Sequence, residues 1–207
     1  MVISVMENSK SNKCQLFFEV LILLLGTANA VHYRLVPENE EIYTACPNQP
    51  SNVKHITEFF DVSELQTKDV GDKILVSGNV TSTWNFNPTD HIIGSAKMYR
   101  YDRREWDNAF YSISFTDLCS EIFDERKHLY KFWMKHVVNL QDIKAKCVLR
   151  GVKFIHEPFA LDMNIDIAAI VPTGRHKVVL ILKTIDKEGQ IREPTMCLEI
   201  IGEVIKG

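Results

Sequence analysis

The chain lacks the short motifs that announce chemistry. It has no G-x-S-x-G, no H-E-x-x-H and no phosphate-binding glycine loop, so a hydrolase elbow, a zinc-peptidase helix and a nucleotide cradle are each without their residues. His156-Glu157-Pro158 opens like a zinc motif, but no histidine follows at the required spacing. There is no C-x-x-C pair either, and no metal site or cofactor is expected from the usual ligand spacings. A triad of distant residues stays open, because triads are recognised by geometry. Positive charge is also in short supply. With 24 Lys and Arg against 27 Asp and Glu, the net charge is −3, which gives nothing to attract nucleic acid or a strongly anionic membrane. Repeats and low-complexity tracts are missing, which favours one continuous domain.

The one apolar run is short. Lys10 and Lys13 precede Leu16 to Leu25, and Ala28-Asn29-Ala30 follows. That order is a secretory signal peptide with an A-x-A cleavage site. The run is too brief for a membrane span, which needs roughly 20 apolar residues, and Glu19 interrupts it. An uncleaved N-terminal anchor is the alternative. Residues 1–30 are therefore read as the leader and 31–207 as a single secreted domain, with no stable transmembrane insertion. Removing 30 from 207 leaves 177 residues, enough to bury about 70% of the unfolded surface.

Five cysteines become four when Cys14 leaves with the leader: Cys46, Cys119, Cys147 and Cys197. An even number in an oxidising compartment implies two disulfides, and three pairings are possible. Asn79-Val80-Thr81 is an N-glycosylation sequon. Between Ile74 and Phe86 the even positions are mainly apolar (Ile74, Val76, Val80, Trp84, Phe86) and the odd ones polar, so Asn79 falls on the wet face of a strand.

Two periods divide the chain. Phe154 to Val171 alternates, with Phe159, Leu161, Met163, Ile165 and Ile167 on one phase and Asp162, Asn164 and Asp166 on the other. Strand side chains alternate faces, so this is a strand with one greasy face and one wet one. Further strands are read at Val53–Leu65 and Lys73–Phe86. A hairpin is read from Ser95–Tyr101 to Trp106–Phe115, and another from His176–Ile185 to Ile191–Ile205, with Met196, Leu198, Ile200 and Val204 facing inward. Tyr33 to Tyr43 is weakly patterned. From Thr116 the spacing becomes helical, with Leu118, Ile122, Leu129 and Trp133 on one stripe. One helix is expected at about 116–137, capped by Thr116 and open to a break near Asp124. Seven or eight strands with one inserted helix predict a mainly β fold, an antiparallel two-sheet sandwich.

A wider set of residues carries a resemblance. It comprises Asp117-Leu118-Cys119, His128 through Trp133, Asn139, Cys147, Gly151-Val152, His156-Glu157-Pro158-Phe159, Thr173-Gly174-Arg175, and Cys197 with Gly202-Glu203-Val204. Taken in order, these resemble the insect chemosensory B (CheB) proteins. That family is related to the ML lipid-recognition domain of the ganglioside activator and the Niemann-Pick type C cholesterol carrier. The resemblance implies an ML-like, immunoglobulin-like sandwich with an apolar cavity between its sheets. It also implies secretion into gustatory sensilla and a non-catalytic role in pheromone perception. Its partners would be a lipid or other hydrophobic small molecule, such as a cuticular hydrocarbon, and a chemosensory receptor or channel. By position it pairs Cys46 with Cys197 and Cys119 with Cys147. The activator's additional disulfides are missing here, so its mobile loops do not transfer.

On this reading Trp84, Phe86, Phe159, Leu161, Met163 and Ile165 form the pocket wall, and Phe123, Tyr130, Phe132 and Trp133 form its mouth or a lipid-facing surface. The bland alternatives are a solid core and a helix packed on the sandwich. Tyr99, Arg100, Tyr101, Arg103 and Arg104 interleave basic and aromatic groups, as a single-strand nucleic-acid surface does. With Asp102 and Glu105 beside them they read instead as an exposed hairpin face, or as a headgroup contact. Two other functions compete: a lipid-presenting accessory factor for a hydrolase or immune receptor, and a solid-cored secreted interaction module.

Overall fold

The alternation written in the sequence becomes two antiparallel sheets. The computed structural model describes residues 31–71, 73–167 and 170–207; the leader read at residues 1–30 lies outside the described residues. The strands run β1 (Val31–Pro37), β2 (Val53–Lys54), β3 (Phe60–Asp61), β4 (Leu65–Asp69), β5 (Ile74–Ser82), β6 (His91–Asp102), β7 (Glu105–Trp106), β8 (Tyr111–Phe115), β9 (Lys153–Leu161), β10 (Met163–Ile167), β11 (Gly174–Ile185) and β12 (Ile191–Lys206). The larger sheet has the order β10-β1-β12-β11-β6, with β7 and β8 both on the far side of β6 and the short β2 parallel to β12. In the smaller sheet β5 is central, flanked by β9 on one side and by β3 and β4 on the other.

The run Phe154–Val171 is not one strand with one wet face. It bends at exposed Asp162 and changes sheets. Leu161 pairs with Ile74 in the smaller sheet, and Met163 pairs with Leu35 in the larger one. The alternation survives the crossing, so Phe159, Leu161, Met163 and Ile167 are all buried. The crossing closes one side of the sandwich, a corner that strand-switching chains make in such packings. Strand β9 is also offset against β5 beside Pro158, where the register shifts; a bulge tolerates a residue that has no N–H for the ladder.

The weakly patterned Tyr33 region proves to be an internal strand, β1, held between β10 and β12. Its Tyr33 and Leu35 are buried. Val53–Leu65 is not a single strand. It holds two strands of two residues each with a 3₁₀ turn, Ile56–Glu58, between them. The two hairpins lie where they were read, except that Trp106–Phe115 is broken into β7 and β8. Arg103 and Arg104 both adopt positive φ (47° and 72°) at the first turn, as a two-residue hairpin connection requires.

The expected helix at 116–137 is corrected. The chain forms α1 (Leu118–Phe123), α2 (His128–Phe132), a 3₁₀ turn Met134–His136 and then α3 (Leu140–Ile143). Asp117, not Thr116, caps α1, accepting from the Cys119 N–H at 2.9 Å. Asp124 ends it in an extended conformation. The Asp124 carboxylate accepts from Arg126 through the backbone N–H at 3.0 Å, Nε at 2.9 Å and Nη2 at 2.7 Å. Those bonds offer the backbone a turn in place of another helical one. Among the described residues, no helix is long and apolar enough to cross a membrane.

Two disulfides fasten this frame. Cys46–Cys197 joins the segment after β1 to β12 across a sequence separation of 151. Cys119–Cys147 joins α1 to the chain just before β9 across 28. These are the pairs the resemblance implied.

Candidate functional site

Buried side chains form two clusters rather than one. The first gathers α1, the region before β9 and one end of the sheets; the second gathers β1, β10 and the start of β5. Between them lies a cavity of about 310 Å³ whose lining is almost wholly apolar. Packed interiors leave few voids larger than a water molecule, and small-molecule sites start at roughly 300 Å³. The floor comes from the larger sheet: Ala96 and Met98 of β6, Ile113 of β8, Leu180 of β11, Leu198 and Ile200 of β12. The smaller sheet supplies Phe60, Leu65, Val80, Phe154 and Leu161, and the helical segment adds Leu118, Ile122, Leu129 and Met134.

The expected wall residues divide. Leu161, Met163 and Ile165 line the cavity. Phe159 does not. It stands behind the wall, edge-on to Trp133 at 5.6 Å and stacked on His136 at 3.9 Å. Trp84 and Phe86 are elsewhere too. β5 ends at Ser82, where Gly151 N–H donates to the Ser82 carbonyl, and the chain leaves the sheet. Trp84 then packs edge-on against Phe59 at 4.8 Å and against Phe86 at 5.9 Å. These rings border a separate, more polar cleft of about 660 Å³, where Arg192 Nε reaches the buried Asp90 carboxylate at 2.9 Å.

Of the four expected mouth residues, Phe132 and Trp133 line the cavity. Phe123 and Tyr130 instead pack on the first core cluster. The basic and aromatic residues at 99–104 lie at the end of β6 and its turn. The cations lying on these rings come from β11, not from the hairpin. Lys177 Nζ sits 4.8 Å from the Trp106 ring centroid, and the Arg175 guanidinium lies 5.0 Å from that of Tyr101. Both cations are engaged further, Lys177 with Glu199 at 3.0 Å and Arg175 with Glu38.

Sequence reasoning missed the floor as a ligand surface, although it did point Met196, Leu198 and Ile200 inward. Val178, Leu180 and Leu182 share one phase of β11, and that alternation was the available signal. It missed the polar members altogether. Glu121 and His128 both line the cavity. Glu121 is buried and pairs with Lys127 at 3.4 Å. His128 stacks on Phe132 at 5.6 Å. Burial, then the nearby Lys131, holds its proton affinity below the ordinary imidazole value.

A histidine cluster lies behind Trp133. His156 approaches the Gly78 carbonyl through Nδ1 at 3.2 Å, and its buried Nε2 has no partner among the described residues. Burial keeps both His156 and His136 below the usual imidazole range. Among the described residues, no three His, Cys, Asp or Glu side chains group as metal ligands. Asn79 lies on the outer face of the smaller sheet, where its Nδ2 donates to Glu64 at 2.7 Å.

No protein-family model matches the chain, and no curated protein is significantly similar to it. The sheets and the cavity therefore define the class: a disulfide-linked antiparallel β-sandwich with an apolar chamber between its layers.

Proposed function

We propose that this is a secreted, non-catalytic carrier of a hydrophobic small molecule, acting in contact chemosensation as the resemblance to the CheB proteins and the ML domain suggests. The observation behind the proposal is the apolar cavity of about 310 Å³ between the sheets. At the ~30 Å³ that one water occupies in the liquid, this volume is on the order of ten ligand heavy atoms. Burying ten methylenes is worth about 8 kcal/mol. Association costs at least about 4 kcal/mol of that. The apolar term alone then leaves at most about −4 kcal/mol, a millimolar affinity, and tighter binding needs polar contacts as well. Such a carrier solubilises an apolar molecule and delivers it to a receptor, or clears it.

Organic extraction and mass spectrometry of the purified protein test the proposal, together with titration by a neutral fluorescent hydrocarbon. Leu161→Arg places a charge in the cavity wall and is expected to abolish probe binding while the far-UV spectrum holds. A protein that yields no extractable ligand and gives no saturable probe signal refutes the carrier function and leaves a protein-interaction module. An accessory role beside a hydrolase differs in tissue: expression in sensillar support cells favours chemosensation, expression in gut or haemolymph the accessory role.

A further inference from the structure

We propose that Glu121 and His128 make the cavity selective for its ligand's headgroup, favouring a medium-chain alcohol over the carboxylate of equal length. The inference rests on the cavity being a ligand site. The Glu121 side chain is only 8% exposed, and its one ionic partner among the described residues is Lys127. Lys127 is 47% exposed and does not line the cavity. Glu121 is therefore a residue of the chamber wall, and its counter-ion is not.

The other polar lining groups do not offset that charge. His128 follows directly after Lys127, and its ring nitrogens make no hydrogen bond among the described residues. Its suppressed proton affinity leaves the ring neutral, with one nitrogen donating and the other accepting. Lys97 borders the chamber but belongs to the opposite phase of β6 from Ala96 and Met98, and it is exposed. Tyr43 and Tyr111 also line the chamber.

An ionised carboxylate only accepts hydrogen bonds. A ligand hydroxyl donates to Glu121 in a charge-assisted bond and still accepts from His128. A plain hydrocarbon offers neither group a hydrogen bond in return for the water it displaces. A ligand carboxylate brings a second negative charge to a site short of water, which disfavours its ionised form. Sites that hydrogen-bond a ligand hydroxyl reject analogues lacking it more sharply than apolar walls reject a missing methylene.

The test is displacement of a bound neutral hydrocarbon probe by 1-decanol, decane and decanoate at neutral pH. In the native protein decanol is expected to bind at least about tenfold tighter than decanoate and tighter than decane, a tenfold ratio being the equivalent of one pK unit of charge discrimination. Glu121→Gln keeps the shape and removes the charge, and should raise decanoate affinity about tenfold while moving decanol by less than about threefold. Decanoate matching decanol in the native protein overturns the inference, whether or not the variant folds. So does a decanol-to-decanoate ratio unchanged in a folded variant. In both of those cases the carrier function stands. Failure of the probe and of all three ligands to bind takes down the carrier function, and this inference with it.

Discussion

Removing each disulfide in turn separates what holds the sandwich together from what shapes its chamber. The perturbations are Cys46→Ala with Cys197→Ala, and Cys119→Ala with Cys147→Ala. The sequence separations are 151 and 28. In the chain-entropy model these correspond to about 5 and about 3.6 kcal/mol of restraint on the unfolded chain. The gap is about 1.4 kcal/mol, a tenfold difference in the folding equilibrium. Urea unfolding at fixed temperature reads it, the 46–197 variant having the lower midpoint if the slopes match. Ligand binding should rank the two variants the other way. Cys119 lies in α1 between Leu118 and Glu121, both of which line the cavity. Freeing α1 loosens that wall, whereas Cys197 lies within β12, which its ladder to β11 holds in register without the bridge. The 119–147 variant should lose about tenfold in probe affinity, the scale of a misplaced first contact layer, and the 46–197 variant less than about threefold when assayed well below its transition. A 46–197 variant that proves the more stable of the two refutes chain entropy as that bridge's contribution. Binding losses that simply follow the stability order refute the role given to α1.

Three more outcomes follow from particular positions. Leu180→Trp fills the chamber from its floor; probe affinity should fall at least about tenfold, the loss expected when most of the apolar contact is denied, while the urea midpoint stays or rises. Gly94→Ala should cost about 1–3 kcal/mol as an overpacking change. The added methyl meets the Phe115 ring and the Leu182 side chain, and urea unfolding measures the loss. Stability should also fall on acidification. Burial lowers proton affinity at His128, His136, His156 and His176, so below about pH 6.5 the unfolded chain binds more protons than the folded one. The contribution is intact above that pH and is lost as the pH drops toward the lowered native values. Urea midpoints at pH 7 and pH 5 check the direction, and His156→Gln should flatten the dependence.

Much of the fold was legible because alternation is a local property. The even phase of β5, the inward phase of β12 and the turn at Arg103-Arg104 each depend on residues a few positions apart. Local spacing did not show where the chain changes partners. Leu161 and Met163 sit on one phase and would look identical in a single strand; only the pairing of one with Ile74 and of the other with Leu35 sets them in opposite layers. β1 was weakly patterned for a related reason. Both of its edges are paired, so backbone bonding holds it, and a clean two-faced pattern is not needed.

The site was legible only in part. Leu161, Met163 and Ile165 follow from their phase, but Trp84 and Phe86 carry the same kind of signal and end in another place, because β5 stops at Ser82. The Phe159 ring lies behind the wall because Trp133 stands in front of it. By itself the sequence determined the mainly β character, the strand phases, the number of cysteines available for bridging and the position of the helical segment. The tertiary structure decided which apolar faces meet, that two clusters leave a gap where one could have closed it, and that Glu121 and His128 share that gap. The division is physical: strand phase is set by neighbours along the backbone, whereas an unfilled volume depends on the shapes of side chains that only folding brings together.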